Sequence, residues 1–199
     1  MTTLHDIDLV LGSSSIYRRE QLSRLTTKFR VVKPDADETP RADEVPRALA
    51  IRLATAKAEA VAKHCPGAIV IGSDQVADLD GRPLGKPGSV DNAVGQLIDC
   101  AGKTVVFHSA LCVIDARTSM HAYFEALDTT RVAFRELGEA EIRRYVAREN
   151  PLDCAGAFKS EGLGIALFES IQSTDPTALI GLPMIALCAL LRRAGITIV

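Results

Sequence analysis

The sequence has no paired cysteines, no long apolar run and no excess of charge of either sign, and each lack removes a class of protein. The five cysteines, Cys65, Cys100, Cys112, Cys154 and Cys188, are odd in number, scattered and never spaced C-x-x-C. That argues against a disulfide framework and a structural zinc site, and it fits a reducing compartment. The most apolar stretch, Ala178 to Leu191, is too short to span a bilayer comfortably and runs into Arg192 and Arg193. It reads as a buried core helix. The N-terminal Met-Thr-Thr-Leu-His-Asp lacks the basic-then-apolar order of a signal peptide, so a cytoplasmic protein without membrane contact is expected. With a net charge of −2 and dispersed basic residues there is no field to attract a nucleic acid polymer. Cations that hold an anion must act locally. His5, His64, His108 and His121 show no metal-ligand spacing, and there is no nucleophile elbow, Walker lysine or G-x-G-x-x-G.

What is present suffices for one substantial core: 199 residues, 47% of them apolar, without repeats, low-complexity runs or an obvious linker. A single domain over residues 1–199 is expected. Asp8 to Gly12 reads as a buried strand, followed by a Ser-rich turn and a helix from Ser15 to Leu25. Phe29 to Val32 is extended, Lys33 to Glu44 is polar, and Pro46 opens a long helix reaching about His64. Ile69 to Gly72 is a short inner strand, Gly81 to Pro87 is turn chemistry, and Val90 to Cys100 is a helix ended by Gly102. Thr104 to Asp115 and His121 to Arg135 flank a polar turn and predict an antiparallel hairpin. Gly138 to Glu149 is helical, Asn150 to Gly162 irregular, and Thr177 to Ala194 a closing helix capped by Gly195. Strands alternating with helices plus one hairpin give an α/β fold with a mixed sheet and flanking helices.

In LGSSSIYRRE the strand ends at Gly12, serines fill the turn, and Arg18 and Arg19 occupy the first helical turn. Free backbone N–H groups, the helix dipole, serine hydroxyls and guanidinium forks all suit an anion there. A plain helix cap is the commoner origin of such a pattern taken alone. Asp74 and Gln75 stand just past the apolar run Ile69 to Gly72, where open α/β sheets place their ligands. A carboxylate there suits Mg²⁺ ligation or proton abstraction from water, although an isolated Asp more often caps a turn. Asp37 and Glu38 lie in a polar loop, while Lys57, Lys86 and Lys159 are each, singly, ordinary surface lysines. A metal-bound triphosphate needs such a set of acids and cations, and spacing alone leaves open whether they converge.

The ordered set S-x-S-x-x-R-R (Ser13 to Arg19), D-E-T-P (Asp37 to Pro40), A-x-x-K-A (Ala54 to Ala58), G-S-D-Q (Gly72 to Gln75), G-K-P (Gly85 to Pro87) and C-A-G-x-F-K-x-E-G (Cys154 to Gly162) resembles the Maf family. The resemblance implies a Maf/ITPase-like α/β fold with two lobes around a central cleft and frequent homodimerisation. It also implies a divalent cation, Mg²⁺ or Mn²⁺, and hydrolysis of a nucleoside triphosphate substrate to monophosphate and pyrophosphate. Together with G-L-P-x-I-A-L-C (Gly181 to Cys188), the motifs look like the subgroup acting on 7-methyl-GTP. Subgroups acting on dTTP and UTP carry Gln where this chain has Glu161. A carboxylate accepts from guanine N1–H and its exocyclic amine, and a cationic methylated base favours an aromatic face and a nearby acid.

Carried over residue by residue, the resemblance makes Asp74 the general base or a metal ligand and Glu38 a metal or water-positioning acid. It makes Ser13, Ser15, Arg18, Arg19, Lys57, Lys86 and Lys159 triphosphate contacts, and gives the choice of base to Tyr17, Gln75 and Glu161. The subgroup often has Trp where this chain has Tyr17, the weaker cation–π partner. The rival readings are a pyrophosphatase for dTTP, UTP or another modified nucleotide, and a non-catalytic nucleotide-binding regulator of cell division. Pyrophosphate release from a nucleotide panel separates them.

Overall fold

The computed structural model describes residues 2–199. The chain opens with β1 (Thr2–Thr3), β2 (Leu9–Gly12), α1 (Ile16–Ser23), β3 (Arg30–Val32) and α2 (Pro46–Ala62). A tight hairpin, β4 (Ile69–Leu79) and β5 (Arg82–Leu84), is followed by α3 (Val90–Cys100) and a long hairpin, β6 (Thr104–Asp115) and β7 (Ala122–Phe134). The remaining elements are α4 (Glu139–Glu149), β8 (Phe168–Gln172), α5 (Met184–Arg193) and β9 (Ile196–Thr197). Short 3₁₀ turns lie at Ala155–Ala157, Leu163–Leu167 and Ala178–Ile180. The main sheet runs β3-β2-β4-β6-β7-β8, with β2 parallel to β3 and β4 and the other pairs antiparallel. The mixed α/β sheet is the one the sequence pattern predicts. Among the described residues no helix is long and apolar enough to cross a membrane.

Strand β4 explains why the molecule has a cleft. One side of β4 is paired with β6 from Ile69 to Asp78. On the other side β2 covers only Ile69 to Gly72, and β5 covers only Ala77 to Leu79. Among the described residues, the stretch Ser73 to Val76 therefore has no strand beside it on that side, and the sheet parts there. Below the gap, Leu9, Leu11, Ile69, Ile71, Leu111 and Val113 pack on α5, while Val10, Val70 and Ile114 pack on α2. Above it, Ala77, Leu79, Leu84, Phe107, Val132 and Phe134 pack with α3 and α4. Burial of each such aliphatic or aromatic side chain contributes ~1.5–3 kcal/mol, so each end of the sheet has its own support.

Three expectations are corrected. Gly81 to Pro87 is not turn throughout, because Arg82 to Leu84 pair with the end of β4 as β5. The strand that begins at Ile69 does not end at Gly72, because Ser73, Asp74 and Gln75 keep ladder partners on β6 opposite Leu111, Ala110 and Ser109. Asp74 therefore sits within a strand rather than beyond its end. The closing segment is not one helix from Thr177 to Ala194. It breaks at Gly181, which has φ +126°, and Pro183 precedes the first turn of α5. Buried Asp175 then accepts from the N–H groups of Ile185 and Ala186, supplying the cap that Pro183 lacks.

Gly72 sets the spacing between α2 and the sheet. A Cβ built there would lie 2.3 Å from the Ala54 carbonyl oxygen and 2.6 Å from the Ala58 nitrogen. Only glycine lets the helix backbone rest on β4 at this point, and Lys57 belongs to the same turn of helix.

Candidate active site

A cavity of about 610 Å³ opens where the sheet parts, lined from both ends of the molecule. Its polar floor comes from the first βα junction. Buried Ser13 accepts the Ser15 N–H at 3.1 Å, and Ser15 caps α1 by accepting the Arg18 N–H at 3.4 Å. This turn presents Ser13, Ser14 and Ser15 to the cavity at a helix N-terminus. Arg18 is fixed by its Nε, which donates to the Gly181 carbonyl at 2.9 Å. Burial lowers the Arg18 pKa, and the charges of Asp74 and Glu38 oppose that shift. The guanidinium so close to two carboxylates stays a cation.

The centre of the site is an ion triad. Lys57 reaches across from α2 and its Nζ lies 2.6 Å from Asp74 Oδ1 and 2.9 Å from Glu38 Oε2. Lys57 and Asp74 are only 6% and 7% exposed, whereas the Glu38 side chain is 59% exposed on its loop. Two carboxylates from a strand and a loop thus converge on one point of positive charge. Among the described residues there is no group of three or more His, Cys, Asp and Glu able to hold a metal alone. Asp74 and Glu38 are the carboxylates that this cavity presents beside Lys57.

The opposite wall is apolar and acidic. Leu84, Phe107, Phe158 and Leu179 line it, with Phe158 packed edge-on to Phe107 at 5.3 Å and to Phe168 at 4.8 Å. Tyr17 extends from α1 toward this wall, and its hydroxyl donates to Asp153 Oδ2 at 3.3 Å. Its pKa is raised, first by burial and then by Cys154 and Asp153. Glu161 lines the same cavity beside Ser160, whose hydroxyl donates to it at 3.3 Å. Gln75 also lines it, but its amide donates to Ser109 Oγ and to the Ala178 and Leu179 carbonyls. Gln75 thus holds the Ala178–Ile180 turn that forms part of the wall.

Of the residues singled out in the sequence, Ser13, Ser15, Tyr17, Arg18, Glu38, Lys57, Asp74, Gln75, Lys86 and Glu161 line this one cavity. Arg19 and Lys159 are not among its lining residues. Arg19 is exposed on α1, and Lys159 Nζ turns to the Glu149 carbonyl at 3.3 Å. Sequence reasoning missed Asp153 and Gly181. The Gly181 carbonyl accepts from both Arg18 Nε and Ser73 Oγ, tying α1, β4 and the closing segment together. The Gly-Leu-Pro run was the available signal for that break.

Residues 8–194 match the family described as Maf-like protein. A 7-methyl-GTP pyrophosphatase of Polaromonas sp. (strain JS666) is 55% identical over 192 residues, which cover 96% of this chain and 86% of that one. A 7-methyl-GTP pyrophosphatase of Xanthomonas oryzae pv. oryzae (strain MAFF 311018) is 56% identical over 187 residues, covering 94% and 96%. Among solved structures, the Staphylococcus aureus Ham1 protein is similar over 77% of this chain and 88% of that chain, at 16% identity and a TM-score of 0.43. The ordered motifs, the family match from residue 8 to residue 194 and relatives sharing more than half of their residues lead to one conclusion: this chain belongs to the Maf family.

Proposed function

We propose that the chain hydrolyses 7-methyl-GTP to 7-methyl-GMP and pyrophosphate by attack of water on the α-phosphorus. The observation that carries this reading is the Lys57–Asp74–Glu38 triad beside the serine turn and Arg18, in one cavity with an apolar, acid-rimmed wall. The floor suits phosphates and the wall suits a base, so a nucleotide has one orientation available. The names of the curated relatives support the choice of nucleotide.

In the proposed reaction the water oxygen forms a bond to the α-phosphorus while the bridging oxygen to the β-phosphorus departs with pyrophosphate. Asp74 takes the proton of the attacking water. Lys57, held between Asp74 and Glu38, fixes the orientation of that carboxylate and keeps positive charge beside the triphosphate. Arg18 and the hydroxyls of Ser13 and Ser15 bind phosphate oxygens, and Lys86 closes the rim with a further cation.

A divalent cation fits this donor set. Mg²⁺ is typically held by one or two carboxylates together with substrate phosphates, and Asp74 and Glu38 would hold Mg²⁺ or Mn²⁺ in that way. When bound, the ion supplies charge neutralisation and acidifies water. The test is pyrophosphate release from 7-methyl-GTP, GTP, dTTP and UTP with Mg²⁺ or Mn²⁺. The highest kcat/KM is expected with 7-methyl-GTP. No release from any of the four would remove the catalytic reading, and a pyrimidine nucleotide ranking first would remove the substrate.

A further inference from the structure

The loop after α4 carries a carboxylate that the reaction does not use. Asn150, at φ +50°, ends α4 in a left-handed turn, and the chain then folds back so that the Cys154 N–H donates to the Pro151 carbonyl. This turn places Asp153 and Cys154 on the cavity wall, across from α1. Asp153 Oδ2 accepts the Tyr17 hydroxyl at 3.3 Å, and Asp153 Oδ1 accepts the weak Cys154 Sγ donor at 3.5 Å. The thiol is no rival for that acid, because burial, then Asp153, pushes its pKa up to about 12.

A phenol that donates to a carboxylate gains electron density in its ring, and an electron-rich ring attracts a cation more strongly. Asp153 also adds a negative charge of its own at this cavity, which Glu161 lines as well. None of this helps a neutral base. It favours a flat ligand that carries delocalised positive charge.

We propose that Asp153 is a specificity-determining residue that works with Tyr17 to select a cationic, N-alkylated purine over its neutral parent. The proposal rests on the function proposed above. It names the pair that reads the charge on the base, as distinct from the hydrogen-bonding edge that Glu161 reads.

The experiment is a double-mutant cycle of Asp153→Asn and Tyr17→Phe, read as the ratio of kcat/KM for 7-methyl-GTP to that for GTP. Each single change is expected to lower the ratio roughly 3- to 30-fold, the scale of a cation–π contact, with most of the loss falling on 7-methyl-GTP rather than on GTP. The double variant is expected to be little worse than either single one, because the two residues act as a unit. Equal losses for both nucleotides, or an unchanged ratio, would overturn the proposal. The ratio of Kd for 7-methyl-GMP and GMP, measured by calorimetry on the same variants, reads the same preference without turnover. Loss of the binding preference in Asp153→Asn supports the inference even if wild type releases no pyrophosphate, an outcome that would sink only the proposed reaction.

Discussion

The two walls of the cavity are built in opposite ways. The phosphate wall stands mainly on regular elements, the β2–α1 junction, the middle of β4 and the second half of α2, with Ser13, Ser15, Lys57 and Asp74 each in a hydrogen bond or ion pair. The base wall takes Leu84 and Phe107 from strands but is otherwise assembled from turns at residues 150–162, reached by the Tyr17–Asp153 bond, and 177–183, held by bonds from Gln75, Ser109, Arg18 and Ser73. Rigid elements suit chemistry that every substrate shares, whereas turns can change one side chain without disturbing a sheet. Substitutions at the first wall should therefore cost rate on every nucleotide, and those at the second should change the order of nucleotides.

The largest effects are expected at the phosphate wall. Chelation with EDTA should abolish pyrophosphate release and added Mg²⁺ or Mn²⁺ should restore it, because Asp74 and Glu38 add negative charge beside the triphosphate and a divalent cation lets carboxylates and phosphates share one site. Full activity after exhaustive chelation would exclude the metal. Asp74→Asn should lower kcat by roughly 10²–10⁴-fold for all nucleotides alike, the scale of a lost general base. Near-normal turnover with an intact fold, checked by circular dichroism, would remove Asp74 from the mechanism.

Gly72→Ala tests whether the wall depends on the approach of α2. The new methyl would press on the backbone of Ala54 and Ala58, which cannot yield without moving the helix that carries Lys57. A loss of about 1–3 kcal/mol in unfolding free energy is expected, with reduced kcat for every nucleotide. Unchanged stability and turnover would show that α2 has slack, and that the Lys57–Asp74 contact does not rely on it.

The same contrast governs what could be read in the sequence. The β6–β7 hairpin, α3 and α4 follow from apolar periodicity, and the serine turn announces itself between a strand and a helix. Strand β4 was read short because Ser73, Asp74 and Gln75 look like a loop. They are polar residues kept in a ladder by β6, and only the neighbouring strand reveals it. Lys57 looked like a surface lysine on an alanine-rich helix, since its meeting with Asp74 and Glu38 is a property of tertiary packing. At the base wall, Tyr17 and Glu161 were singled out through resemblance to the Maf family, and Asp153 carried no pattern of its own. Turns held by distant partners leave little periodicity to read.

A smaller effect should separate the walls from the other side. Glu161→Gln replaces an acceptor pair by one acceptor and one mismatched donor, so discrimination of 7-methyl-GTP against UTP should fall by ~1–3 kcal/mol. The kcat for the preferred nucleotide should change far less than in Asp74→Asn. An equal loss for all four nucleotides would place Glu161 with the phosphate wall and break the comparison.

The smallest effect concerns the longest irregular part of the phosphate wall, the loop that carries Glu38. Arg52 on α2 staples it, donating from Nε and Nη2 to the two Glu44 oxygens at 2.6 and 2.7 Å and from Nη2 to the Thr39 carbonyl at 3.1 Å. Those bonds, reinforced by the Arg41 N–H and opposed by burial, hold the Glu44 pKa down to about 2. A carboxylate depressed in the folded state contributes stability above its ordinary pKa of ~4.3 and loses it as pH falls through the folded value. The staple should thus weaken only as pH falls from about 4 toward about 2. At pH 3 the backbone N–H groups of residues 39–45 should exchange slowly with deuterium in wild type, and roughly two- to fivefold faster in Glu44→Gln. Equal rates would mean that the loop is held by Glu38 and Lys57 alone, making the triad itself the hinge of that wall.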